Sequence, residues 1–341
     1  MIQPDESLED EIVRRAQRQA ERDARRAHLR IVDDHLVQIG DAIDPWEHDQ
    51  RRYRIGIDNI DASMKPRRAA DFTVVGALPG GGKTSVLEQS AVANARDGHR
   101  VVIYSLEMTV PDLQNKMIGR EMGVSFHDFE RHRSRQSEEY QRAVARLRAL
   151  PLKLFRPPEG QSVTIEQIFQ IAERSRADML AIDYAALIGG WEPGNKAREI
   201  LNFCASKTKQ TGIHLLLLAQ LDQRVMLRKN ARPMLADFED SKAFAKAATG
   251  VILIHRPFNG NPKHDTVAEF IIAKNRRLAP TFKAHVFWDG PTTSFFTMSE
   301  EEESLALCCR KKPAKPRPTP RSPDEMTRAD EDALLNEFPF A

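Results

Sequence analysis

The chain has 341 residues, 41% hydrophobic and 29% charged, with a formal net charge of +2. This balance is ordinary for a soluble protein and exerts no overall pull toward nucleic acid, so any basic surface must be local. No apolar run approaches the ~20 residues that span a bilayer. The polar, acidic N-terminus does not read as a signal peptide. Three cysteines, Cys204, Cys308 and Cys309, fit neither a disulfide framework nor metal-ligand spacing, as expected of a cytoplasmic protein.

Composition divides the chain into an arm (1–45), a central domain (46–298) and a tail (299–341). Residues 7–39 are highly charged and lack Pro and Gly, with Ser7 as N-cap. Ile12, Ala16, Ala20 and Ala24 form a narrow stripe of mostly small side chains, too little to stabilise a lone helix. The arm reads either as a solvated helix or as one that docks on a neighbouring subunit.

The central domain alternates strand-like and helix-like runs. Strands are predicted at 72–76, 101–105, 179–183, 213–219, 250–255, 268–273 and 283–288, and helices at 83–96, 110–121, 135–149, 164–176, 196–211 and 240–248. Near-continuous apolar strands such as Ile213–Ala219 predict burial on both faces. The fold class is therefore α/β, a mostly parallel central sheet flanked by helices.

Between the first strand and its helix lies Ala77-Leu-Pro79-Gly80-Gly81-Gly82-Lys83-Thr84, followed by Ser85. Strand, glycine-rich loop and helix form the context of a phosphate-binding P-loop, in which backbone N–H groups and a helix N-terminus face phosphate oxygens. Lys83 would reach the β/γ-phosphates of ATP, and the Thr84 hydroxyl would help hold Mg²⁺. After the second strand, Glu107 is placed to act as general base on the attacking water. The apolar run Met179–Ile182 ends in Asp183, the Walker-B pattern whose carboxylate holds the Mg²⁺ shell. Lys196 and Arg198, at the start of the next predicted helix, are candidate nucleic-acid contacts. Gln220 ends a buried strand, where it could sense the γ-phosphate. The following loop carries Arg224, Arg228, Lys229 and Arg232, and reads either as a solvated basic loop or as a contact to a ligand in a central channel. Lys274 and Arg276 end a later strand, placed to act as fingers on a neighbour's nucleotide.

Taken together, Ala77–Thr84, Tyr104-Ser-Leu-Glu-Met108, Ile182-Asp-Tyr184, Ala219-Gln-Leu221, Arg232-Pro-Met234 and Lys274-Asn-Arg276 resemble, in order and spacing, the C-terminal ATPase domain of DnaB-type replicative helicases. Ile55-Gly-Ile57 through Asp61 resembles that domain's opening segment, so the likeness covers roughly residues 50–290. The resemblance implies a RecA-like P-loop NTPase fold and a homo-oligomeric, hexameric ring that draws single-stranded DNA through its centre at the expense of ATP. It implies Lys83 and Thr84 on phosphates and Mg²⁺, Glu107 as base, Asp183 in the Mg²⁺ shell and Gln220 as sensor. Lys274 and Arg276 would act on the next subunit's ATP.

Two departures qualify it. The family's N-terminal domain, which supports primase contact, is expected to be missing, because few residues precede the ATPase segment. The family's DNA-contacting stretch, D-L-R-E-S-G, reads Asp237-Phe-Glu239-Asp240-Ser241-Lys242 here, which sets two acids against a polyanion. Lys242 joins the candidate nucleic-acid contacts. A second reading is therefore an ATP-switched assembly or accessory factor that does not unwind DNA. From residue 299 the sequence turns acidic and then Pro/Lys/Arg-rich (Lys311–Arg321), a disordered composition ending in Phe338 and Phe340. Arm or tail would bind another replication protein.

Overall fold

The computed structural model describes residues 51–64, 68–125, 128–129, 137–228, 230–259, 265–276, 282–299 and 301–304. The predicted arm, the tail from residue 305 and Lys229 lie outside these residues. Among them no helix is long and apolar enough to cross a membrane.

One nine-stranded sheet organises the described residues, in the order β3-β2-β4-β5-β1-β6-β7-β8-β9. Its parallel part comprises β1 (Phe72–Ala77), β2 (Val101–Ser105), β3 (Leu152–Phe155), β4 (Met179–Asp183), β5 (His214–Gln220) and β6 (Gly250–His255). The strands β7 (Val267–Asn275), β8 (Lys283–Asp289) and β9 (Ser294–Thr297) extend it antiparallel beyond β6. Every residue of β1, β2, β4 and β6 is buried, as apolar strands covered on both faces require. β8 keeps an exposed side, as antiparallel strands at a sheet's flank do.

The helices are α1 (Asp58–Met64), α2 (Lys83–Arg96), α3 (Val110–Met122), α4 (Glu138–Arg148), α5 (Ile165–Arg174), α6 (Asn195–Thr211) and α7 (Ser241–Ala247). Their ends carry local signals. Thr109 accepts a hydrogen bond from Asp112 N at the start of α3, a Thr164/Gln167 capping box opens α5, and left-handed Gly123 and Gly212 close α3 and α6. α2 lies across β1, β2, β4 and β5, while α5 and α6 pack from β4, β5 and β1. Phe72, Val74, Ile182, Leu217, Phe169, Leu201 and Phe244 share one core cluster.

The predicted strands and helices stand, with β3, β9 and α1 added. The Asp61 carboxylate fixes the backbone ahead of α1, accepting N–H bonds from Ile55, Gly56 and Ile57 at 2.6, 2.8 and 3.2 Å.

Candidate nucleotide site and its neighbours

Parallel register decides which side chains meet. Ala77 pairs with Gln220 and Ser105 with Asp183, so the loops after β1, β2, β4 and β5 leave the sheet at one edge. That edge, at the carboxyl ends of parallel strands, is where α/β sheets bind ligands.

The loop after β1 turns on Gly82, whose φ of +93° is left-handed and whose added Cβ would lie 2.5 Å from the Phe295 ring. No side chain caps the first turn of α2, so its N–H groups face the loop. Lys83 Nζ donates to the carbonyls of Ala77 and Leu78 at 3.3 and 3.2 Å. Burial pulls its pKa below the usual lysine value, and the charges of Asp183 and Glu107 oppose that shift.

Thr84 Oγ1 donates to Asp183 Oδ2 at 2.8 Å. Asp183 is 1% exposed, and its Oδ1 has no protein partner. Burial raises the Asp183 pKa to about 6; the Thr84 bond opposes this and Glu107 adds to it. An orphaned buried carboxylate oxygen beside a hydroxyl suits a hard divalent cation. Among the described residues no group of three or more His, Cys, Asp or Glu could hold a metal alone. An ion here would therefore complete its shell with phosphate oxygens and water, the usual state of Mg²⁺.

Glu107 is exposed at the mouth of this edge. Its loop is pinned on both sides. Ser105 Oγ donates to Met108 O at 2.6 Å and accepts from Met108 N at 3.1 Å, while Leu106 N donates to Asp183 O at 2.7 Å. Gln220 is exposed, and Leu221 N donates to Ala77 O at 3.1 Å, which ties the loop after β5 to the P-loop strand. A cleft of about 330 Å³ beside Gln220 is lined by Tyr184, Trp191, Asp222, Glu239 and Asp240.

Lys274 and Arg276 do not join this cluster. Asn275 pairs with Gly250, the first residue of β6, whereas the P-loop lies beside the last residues of that strand. Both side chains instead bond backbone carbonyls at the end of α7. Lys274 reaches Ala245 O and, at 2.6 Å, Ala248 O; Arg276 Nη2 reaches Lys246 O at 2.5 Å. Burial and the Arg276 charge lower the Lys274 pKa to about 8.

The candidate nucleic-acid contacts divide by their bonds. Arg232 makes a two-pronged ion pair with Glu269, both contacts 2.7 Å, and Glu269 is only 1% exposed. Arg228 pairs with Asp237. These two guanidiniums hold the loop itself. Arg224 pairs with Asp222 at 2.5 Å and Lys196 with Glu192 at 2.6 Å, while Arg198 donates to Asn195 Oδ1 at 2.8 Å. Lys242 and Glu239 are exposed.

Sequence reasoning missed two groups. Arg256, at the end of β6, donates to Gly80 O at 2.7 Å, pairs with Asp265 and lies 4.2 Å from the Trp288 ring centroid. An arginine directly after a strand beside the P-loop was the available signal. Glu88, fully buried on α2, pairs at 2.7 Å with Arg120 on α3, and no spacing in the sequence marks it.

A family model described as the DnaB-like helicase C terminal domain matches residues 54–297. The replicative DNA helicase DnaB of Mycoplasma genitalium is 26% identical over 262 residues, covering 71% of this chain and 54% of that protein. DnaB of Geobacillus stearothermophilus is 24% identical, covering 65% and 51%. A probable plasmid replicative DNA helicase of Chlamydia muridarum is 26% identical, covering 70% and 53%. The chain thus spans about half the length of these curated relatives. Among solved structures, a DnaB-like replicative helicase studied with primase aligns over 78% of this chain and 67% of its own, with a TM-score of 0.67 at 18% identity. The ATPase domain of G40P aligns over 87% of this chain and all of its own, with a TM-score of 0.65 at 16% identity. These likenesses establish the fold. With most of its length matched by the family model, the chain belongs to the DnaB-like helicase C-terminal domain family.

Proposed function

We propose that this protein is an ATP-driven translocase on single-stranded DNA that acts as a ring in the cytoplasm and hydrolyses ATP between subunits. The observation that carries the reading is the Thr84–Asp183 hydrogen bond with Glu107 at the same sheet edge. Pro79 to Thr84 and Ser85 would enclose the phosphates. Lys83 would leave the Ala77 and Leu78 carbonyls for β/γ-oxygens. Thr84 and Asp183 would hold Mg²⁺, which neutralises charge on the triphosphate when bound. Glu107 would accept a proton from the water that attacks the γ-phosphorus, as ADP leaves on the opposite side. Gln220 would sense the γ-phosphate.

Lys274 and Arg276 lie at the opposite end of the sheet from their own P-loop, which supports action on a neighbour's nucleotide. Hydrolysis then requires an oligomer, for which a hexamer is the family's form. Single-stranded DNA would meet the surface carrying Arg224, Lys242, Lys196 and Arg198. A replication protein would dock on the arm or tail.

The exposed Glu239 favours a second reading, an ATP-switched accessory factor that does not unwind DNA. A fork-unwinding assay separates the two. ATP-dependent strand separation that Lys83→Ala abolishes supports the translocase. Hydrolysis without unwinding on any fork polarity supports the switch.

A further inference from the structure

Consecutive glycines leave Gly80, Gly81 and Gly82 without side chains to fix them, and glycine loses more conformational freedom on ordering than any other residue. The loop is held instead from the side of β6 and β8. Arg256, directly after β6, engages Asp265 through Nε and Nη2 and donates from Nη1 to Gly80 O at 2.7 Å. Its Cζ lies 4.2 Å from the centroid of the Trp288 ring. Asp265 neutralises the largely buried guanidinium, and the ring face attracts its charge. Trp288 meets Phe295 at 4.5 Å, and the Phe295 ring lies where a side chain on Gly82 would point. This aromatic floor is fastened to α2. The Gln89 amide donates to Phe295 O and accepts from Phe295 N, each at 2.8 Å, and Arg120 bridges the buried Glu88 to Thr293 O and Ser294 Oγ.

The Gly80–Gly81 peptide is thereby pinned at both ends. Gly80 O is held by Arg256, and Gly81 N donates to Leu78 O at 3.0 Å. The carbonyl faces Arg256 after β6, whereas β4, which ends in Asp183, lies on the other side of β1. A rotated peptide would turn its carbonyl oxygen toward an anion and repel it. We infer that Arg256, seated on Trp288, is a positioning residue that keeps the Gly80 carbonyl away from a bound triphosphate and orders the glycine-rich loop before the ligand arrives. This rests on the reading of the loop as the triphosphate site. A lysine ammonium has no planar fork to serve Asp265 and Gly80 together while lying flat on the ring.

Calorimetric titration of the full chain with Mg-tripolyphosphate, which has no base or ribose, and with MgADP tests this. Arg256→Lys should weaken both ligands alike, by about tenfold. Trp288→Leu, which spares the ion pair, should weaken both by about threefold, and Trp288→Phe should restore most of the loss. For ATP hydrolysis by Arg256→Lys, kcat/KM should fall about tenfold with the loss in KM, because the hold acts before substrate binds. An unchanged Kd for tripolyphosphate in Arg256→Lys overturns the inference. If MgADP alone is weakened, Arg256 acts on base or ribose; if only the binding stoichiometry or Tm falls, it serves the fold. A parent protein that binds neither ligand removes the triphosphate site itself.

Discussion

The Thr84 hydroxyl donates a 2.8 Å hydrogen bond to Asp183 Oδ2 and so ties the first turn of α2 to the end of β4. This bond brings a side chain at the end of the glycine-rich loop and one at the end of β4, 99 residues apart in sequence, to one point. It leaves Asp183 Oδ1 buried without a partner.

That imbalance makes Asp183 a stability liability when no metal is present. Its folded pKa, about 6, lies above the ordinary 3.8, so between these values the folded state holds more proton than the unfolded one. Ionisation therefore lowers stability as pH rises through this window. Asp183→Asn should raise Tm in EDTA at pH 7.5 by about 2–4 °C, while abolishing ATP hydrolysis. A lower Tm in EDTA would show that the carboxylate is already satisfied.

Two glycines with similar φ separate strain from crowding. Gly98, φ +89°, has open space around its Cβ position, whereas the Cβ position of Gly82, φ +93°, runs into Phe295. Gly98→Ala should cost about 1 kcal/mol in urea unfolding, the cost of a left-handed alanine. Gly82→Ala should cost about 3 kcal/mol, because overpacking adds to that strain. Equal losses would mean that Phe295 moves aside freely.

Lys274 predicts an alkaline limb in the activity. With its pKa lowered to about 8, it loses charge as pH rises through that value, so kcat/KM for ATP should fall above pH 8. Lys274→Arg should shift the limb to higher pH. The stability effect has the opposite sign. Between about 8 and the ordinary 10.5 the unfolded state holds more proton, so this group's contribution to folding stability rises with pH. A pH profile for kcat/KM that Lys274→Arg leaves unchanged would remove Lys274 from the reaction.

Glu239 is exposed, and its charge would oppose a polyanion approaching this loop. Glu239→Arg should tighten single-stranded DNA binding and steepen the slope of log K against log salt by about 0.7, the value for one added phosphate contact. An unchanged slope in a filter-binding titration would place the loop away from the DNA path.

The sheet edge that gathers Thr84, Asp183 and the loop of Glu107 was legible in the sequence because its signals are local. Glycines beside Lys83 and Thr84, and acids at or just beyond the ends of buried strands, mark where parallel strands end. β3 and β9 were not legible, since four residues carry too little periodicity. The ion pairs also escaped sequence reasoning. Arg232 looked like a free loop cation until Glu269, 37 residues on, met it across the fold. Lys274 and Arg276 were read from strand-end position, which could not disclose that α7 needs them as a cap.

Steady-state ATP hydrolysis with and without single-stranded DNA, at low and moderate salt, on protein whose solution mass is checked in the same buffer, tests the central claim most directly. The translocase account predicts strong DNA stimulation that weakens with salt, on a particle of ring size. Hydrolysis indifferent to DNA at both salt concentrations would contradict it.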